Sequence, residues 1–97
     1  MLREVLSKYS DANIPLDVIW NDIDYLKAYR DFTYDDQFGY NDLPQFIDEV
    51  HQKNMKYIPI MDAGVSRRTW VDGYDVYNDG QKNNAFMKIK DGQTFIG

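Results

Sequence analysis

The stretch LDVIWNDIDYLKAYRDFTYDDQFGYNDLPQFIDEVHQKNMKYIPIMD, residues 16–62, reads as strand, long loop, helix, strand. LDVIW (16–20) is apolar apart from Asp17 and carries β-branched Val18 and Ile19. A near-continuous apolar run of that length suits a strand covered on both faces, as parallel strands are. KYIPIMD (56–62) is a second such run, and its Pro59 argues against a central antiparallel strand because proline cannot donate to the ladder. Between the two, Leu43, Phe46, Ile47 and Val50 repeat at helical spacing. Asp42 is placed to cap that helix, Pro44 falls in its first turn, and Gln45 stands where a capping box needs it. Residues 21–42 are polar and aromatic without a sustained period and read as a loop. Together these segments make a βαβ unit over about 14–62, with parallel strands and a right-handed crossover.

Outward from this unit, Leu2, Val5, Leu6 and Tyr9 share one helix face, and Asn13 with Pro15 ends that helix. On the other side, residues 65–84 are rich in Gly, Asn and Asp and read as a loop. AFMKIK-DG-QTFIG (85–97) then reads as a β-hairpin, with Asp91-Gly92 as a type I′ turn. The expected fold class is α/β. One βαβ unit, a leading helix and a hairpin leave strand edges and sheet faces uncovered, which parallel sheets rarely are. The expectation is a piece of a larger domain that does not fold alone.

The 97 residues carry 16 Asp+Glu against 11 Lys+Arg, a formal net charge of -5. No basic stripe offsets that balance, so no nucleic-acid partner is expected, because such affinity rests on Lys and Arg replacing counterions. Absence of cysteine rules out disulfides, thiolate zinc sites and a cysteine nucleophile. No apolar run approaches the ~20 residues that cross a bilayer. The first residues mix both charge signs and lack the apolar centre of a signal peptide.

Ligands of parallel α/β sheets sit beyond the carboxyl ends of the strands. Asp22 and Asp24 follow the first strand and Asp62 follows the second, so Asp22 and Asp62 face one pocket if the strands pair directly. Asp22 and Asp24 point the same way only if the chain stays extended. Carboxylates in such a mouth hold a metal, relay protons or accept hydrogen bonds from sugar hydroxyls. Equally, Asp24 or Asp62 caps a loop or pairs with Arg30 or Arg67. An apolar run followed by Asp-x-Asp also occurs in Mg²⁺-dependent phosphatases and in glycosyltransferases that chelate a divalent ion. His51 reads as structural, and Arg67, Arg68, Lys88 and Lys90 as solvated. For Tyr25, Tyr29, Phe32, Tyr34, Phe38 and Tyr40, packing of the long loop is favoured over a ligand platform.

At IPLDVIWNDIDYLKAYRDFTYD (14–35) the sequence resembles glycoside hydrolase family 31, of α-glucosidase type. That family's pattern, I-P-x-D-x-x-W-x-D-I-D-Y followed by D-F-T, is matched by Ile14, Pro15, Asp17, Trp20, residues 22–25 and residues 31–33. DLPQFIDEVHQKNMKYIPIMDAGVS (42–66) is similar to its next segment, with Ala63 where the family has Pro after Asp62. Tyr74, Tyr77, Gly80, Phe86, Lys88, Gly92 and Gly97 continue the likeness.

The resemblance implies that residues 1–97 are a partial catalytic (β/α)8 barrel domain, the strands being consecutive staves and the hairpin a loop insertion near the mouth. It implies a retaining α-glucosidase acting on terminal α-linked glucose of oligosaccharides without a cofactor. It places Asp22 against hydroxyls of the reacting glucosyl unit, Ile23 and Ile60 as apolar walls, and Asp62 nearby. Such enzymes use two catalytic Asp, a nucleophile and a general acid/base, about 5–5.5 Å apart, and the nucleophile belongs to a downstream W-x-D-M-N-E stretch. Nothing like it occurs here: Trp20 is followed by Asn21-Asp22 and Trp70 by Val71-Asp72. The catalytic set in this chain is therefore none, and the metal set none. Expected partners are an α-glucoside oligosaccharide and the remainder of the barrel. The alternatives are a non-catalytic carbohydrate-binding or structural relative, or a Mg²⁺-dependent Asp-x-Asp enzyme of phosphatase or glycosyltransferase type. The family setting implied is secreted or lysosomal.

Overall fold

The first helix, α1 (Leu2–Asp11), ends where its sequence says it must. Asn13 takes φ 53°, and its N–H donates to Ser10 O while the Ile14 N–H donates to Tyr9 O, both at 3.0 Å. That pair of bonds is a Schellman closure, with Asn filling the left-handed position that glycine usually takes. The computed structural model describes residues 1–37, 39–68 and 73–97. Phe38, Trp70 and Asp72, named above, lie outside the described residues. No α1 residue is fully buried, and only Leu2 and Leu6 pack partly against the core. Arg3 holds the helix in place, its fork on Glu49 at 2.9 Å, a further bond to Asp42, and its plane 5.6 Å from the Phe46 ring centroid.

Strand β1 (Val18–Asn21) pairs in parallel with β2 (Lys56–Pro59), in the register Val18 to Lys56 through Asn21 to Pro59. The parallel pairing agrees with expectation, but β2 stops at Pro59 rather than running to Asp62. As expected of a lone βαβ unit, one sheet face is uncovered among the described residues. Ile19 and Asn21 are buried, whereas Val18, Trp20 and Ile58 on the other face are exposed. The joining helix, α2 (Leu43–Gln52), packs on one face only and buries Leu43, Phe46 and Val50. The expected Asp42 cap is also corrected: its side chain makes no capping bond and is drawn instead to Arg3. The charged guanidinium outcompetes a neutral backbone amide for the carboxylate.

Two segments read as loops carry helical turns. Residues Ile23–Tyr25 form a 3₁₀ turn, Lys27–Tyr29 a tight turn with Ala28 and Tyr29 at positive φ, and helix α3 spans Val76–Lys82. The Phe86 ring stacks on Tyr77 with centroids 5.2 Å apart and lies over Gly80, where an added Cβ would stand 2.3 Å from its Cζ. The chain then folds back on itself, with Lys88 bridged antiparallel to Thr94. The type I′ turn is corrected. Asp91 is not among the positive-φ residues while Gly92 has φ 84°. The Gly92 N–H donates to Ile89 O (2.9 Å) and the Ile89 N–H to Gln93 O (2.8 Å). This is a three-residue loop closed by a left-handed glycine, a form that asks less of Asp91 than type I′ does.

Candidate functional site

Asn21 ends β1, and Asp22 follows it with φ −78° and ψ −177°, still extended. Its Oδ1 accepts a 2.8 Å bond from the Ile23 N–H, which starts the 3₁₀ turn. The chain does not stay extended to Asp24, so strand alternation does not set Asp22 and Asp24 on one side. Ile23 is 37% exposed at the start of that turn. Across the sheet, the Ile60 N–H donates to Asn21 O at 2.9 Å, placing half-buried Ile60 next to the end of β1. Asp62, exposed, lies two residues further along. The register thus puts the segments bearing Asp22, Ile23, Ile60 and Asp62 side by side at the carboxyl end of the two strands. An open hollow of about 340 Å³ lined by Asp24, Lys27, Tyr29 and Asp35 includes none of those four.

Of the tyrosines in these segments, Tyr25, Tyr40 and Tyr74 are buried and Tyr57 is half-buried. The Tyr25 hydroxyl donates to Ile60 O at 2.7 Å, and the Asn21 amide donates to the Tyr57 hydroxyl at 3.0 Å. Burial pushes the hydroxyls of Tyr25, Tyr40, Tyr57 and Tyr74 above the ordinary phenol value. They are neutral hydroxyls at physiological pH and below. The expectation of packing for the loop aromatics holds for Tyr25 and Tyr40, which are buried, and is corrected for Tyr29, Phe32 and Tyr34, which are exposed. Tyr29 and Phe32 have φ 55° and 63°, a backbone conformation that accompanies their outward placement.

Asp31 and Tyr74, to which the sequence reading gave no site role, are both buried and hydrogen-bonded to each other. Asp31, 4% exposed, accepts from the Asp62 N–H at 3.2 Å through Oδ1. Its carbonyl accepts from the buried Tyr74 hydroxyl at 3.0 Å, and the Arg30 guanidinium lies 4.9 Å from the Tyr74 ring centroid. No periodicity marks a buried Asp in an irregular segment; the only sequence signal was its place in the D-F-T match. Among the described residues, no cluster of three or more His, Cys, Asp or Glu gathers as a metal site.

The model of the glycosyl hydrolases family 31 TIM-barrel domain matches residues 1–97. The chain is 38% identical over 101 residues to glucoamylase 1 of Schwanniomyces occidentalis, covering 99% of this chain and 10% of that protein. It is 40% identical over 96 residues to lysosomal alpha-glucosidase of Bos taurus, covering 98% and 10%. Intestinal sucrase-isomaltase of Oryctolagus cuniculus is 37% identical over 98 residues, covering 99% and 5%. Among solved structures, an ER glucosidase II complex of a catalytic subunit with the binding domain of its regulatory subunit superposes with a TM-score of 0.85. That match has 27% identity and covers 98% of this chain and 10% of the other. The chain therefore spans about a tenth or less of the length of the curated relatives it matches.

Proposed function

On the premise that this chain belongs to glycosyl hydrolase family 31, as part of its TIM-barrel domain, we propose that it supplies one sector of the sugar pocket in a retaining α-glucosidase. The substrate of the whole protein is a terminal α-linked glucose of an oligosaccharide, and no cofactor takes part. The observation that carries this reading is the parallel register that sets Asp22 and Ile60 on adjoining strand ends, the end where barrel active sites lie. Asp22 accepts hydroxyl hydrogen bonds from the reacting glucosyl unit, Ile23 and Ile60 form its apolar walls, and Asp62 borders it. Residues 1–97 are a partial barrel domain, and the hairpin of residues 85–97 is a loop insertion near the mouth. The remainder of the barrel is the partner that completes the pocket, and the catalytic Asp pair belongs to it.

A carboxylate holding sugar hydroxyls makes charge-assisted bonds worth about 1.5–3 kcal/mol each. In the full-length protein, Asp22→Asn lowers kcat/KM for an aryl α-glucoside at least tenfold. Near-wild-type kinetics in that variant would refute the pocket assignment. Loss of activity on EDTA treatment would point to a divalent ion instead.

A further inference from the structure

The segment bearing Ile60 and Asp62 leaves β2 at Pro59, a residue with no N–H to give. Past that point the strand ladder offers it one bond, from the Ile60 N–H to Asn21 O at 2.9 Å. Two further backbone groups of the segment are held from the loop that follows β1. The Ile60 carbonyl takes the Tyr25 hydroxyl at 2.7 Å, and the Asp62 N–H gives to Asp31 Oδ1 at 3.2 Å. Both holding side chains are buried, Tyr25 at 5% and Asp31 at 4% exposure.

We propose that Tyr25 and Asp31 are positioning residues that clamp the backbone of residues 60–62 and thereby aim Ile60 and Asp62 at the sugar. The proposal rests on the pocket reading given above. Desolvating a carboxylate is costly unless it is hydrogen-bonded, so a buried Asp that accepts from a backbone amide restrains that amide. The loop is itself braced for the task. Thr33 Oγ1 donates to Arg30 O at 2.6 Å and accepts from the Lys27 N–H at 3.0 Å. The Asp35 N–H closes on Tyr25 O at 2.7 Å, and the Tyr74 hydroxyl holds the Asp31 carbonyl at 3.0 Å. Residues that never touch the sugar then govern its fit, since small misplacements of a positioning group cost rate out of proportion to their size.

The test uses the full-length protein, with p-nitrophenyl α-D-glucopyranoside as probe, well below each variant's melting temperature. Asp31→Ala lowers kcat/KM at least tenfold per folded molecule. Asp31→Asn, which keeps an oxygen acceptor for the Asp62 amide, stays within threefold of wild type. Equal impairment in the two variants overturns the clamp, because the acceptor would then not be what matters. Asp31→Ala within threefold of wild type also overturns it, and a tenfold loss in Asp22→Asn measured alongside shows that the pocket reading survives. If Asp22→Asn is itself within threefold, the pocket reading fails and the clamp with it. Should Asp31→Ala not fold, Tyr25→Phe decides: a fall of at least threefold supports the clamp, and unchanged kinetics overturn it.

Discussion

Tyr40 and Tyr57 are both tyrosines under the strand ends, yet losing the hydroxyl has opposite consequences at the two positions. The Tyr57 hydroxyl accepts from the amide of buried Asn21, and removing it strands that donor. Tyr57→Phe therefore destabilises the full-length protein by about 1–3 kcal/mol, the penalty for a buried polar group left without its partner. The Tyr40 hydroxyl is buried beside Asn21 and in the field of Asp24 but, among the described residues, makes no hydrogen bond of normal geometry. Tyr40→Phe gives up no bond and relieves a desolvated hydroxyl, so it is neutral or stabilising by up to about 1 kcal/mol. Urea unfolding of the two variants checks the contrast; a Tyr40→Phe loss as large as that of Tyr57→Phe would contradict it. The sequence reading placed Tyr40 in a loop expected to pack, which was right. It had no means of telling a bonded hydroxyl from an orphan, because Asn21, which bonds Tyr57, lies 36 residues from it in the chain.

Helices α1, α2 and α3 close in the same way, with Asn13, Asn54 and Asn84 each at positive φ just past the last turn. For α2 the Asn54 N–H donates to His51 O at 2.9 Å and the Met55 N–H to Val50 O at 3.1 Å. A left-handed backbone costs an ordinary L-residue about 1–2 kcal/mol, less for Asn and nothing steric for Gly. Asn54→Ala accordingly lowers stability by about 1 kcal/mol, whereas Asn54→Gly leaves it within a few tenths; equal effects of the two would dismiss the capping account. This device also explains what was legible. Helices α1 and α2 announce themselves through an apolar face at helical spacing, and the strands through short apolar runs. Helix α3, VYNDGQK, has no such face; its stop signal, Asn84, is readable only once the helix is known. Its stability comes from the Phe86 ring on Tyr77 and over Gly80, a contact made across a turn. A second element-level consequence concerns acid. The Arg3 fork holds the Glu49 carboxyl below its usual value, and a carboxyl with a lowered folded pKa stabilises above its unfolded pKa and loses that contribution as pH falls through the folded one. Protection of the α1 amides, taken relative to their intrinsic exchange rate at each pH, therefore falls below about pH 4, near the unfolded Glu value, and Arg3→Met abolishes that fall; α1 protection that stays constant through acid in the unmutated protein would count against it.

At the scale of the whole chain, the radius of gyration is 17.3 Å with extents of 57 × 27 × 20 Å, against about 13 Å for a compact domain of 100 residues. The buried cluster draws only on β1, the loop after it and α2, with partial cover from α1, Leu16 and the β2 region. One sheet face shows Val18, Trp20 and Ile58 to solvent, and β1 and β2 pair only with each other among the described residues. A parallel pair needs cover on both faces and neighbours on both edges, and the entropy of ordering 97 residues, about 1–2 kcal/mol each for the backbone alone, has too little buried apolar surface to oppose it. The isolated chain is thus expected to unfold without a sharp, cooperative transition and to bind a hydrophobic dye such as ANS at room temperature. The same residues inside the full-length protein are expected to melt with the rest of the barrel, because the Trp20 face is then covered. A steep thermal transition of the isolated 97 residues, accompanied by fixed near-ultraviolet circular dichroism from the aromatic side chains, would show that the sector carries its own stability. The open face would then need an explanation other than a missing neighbour.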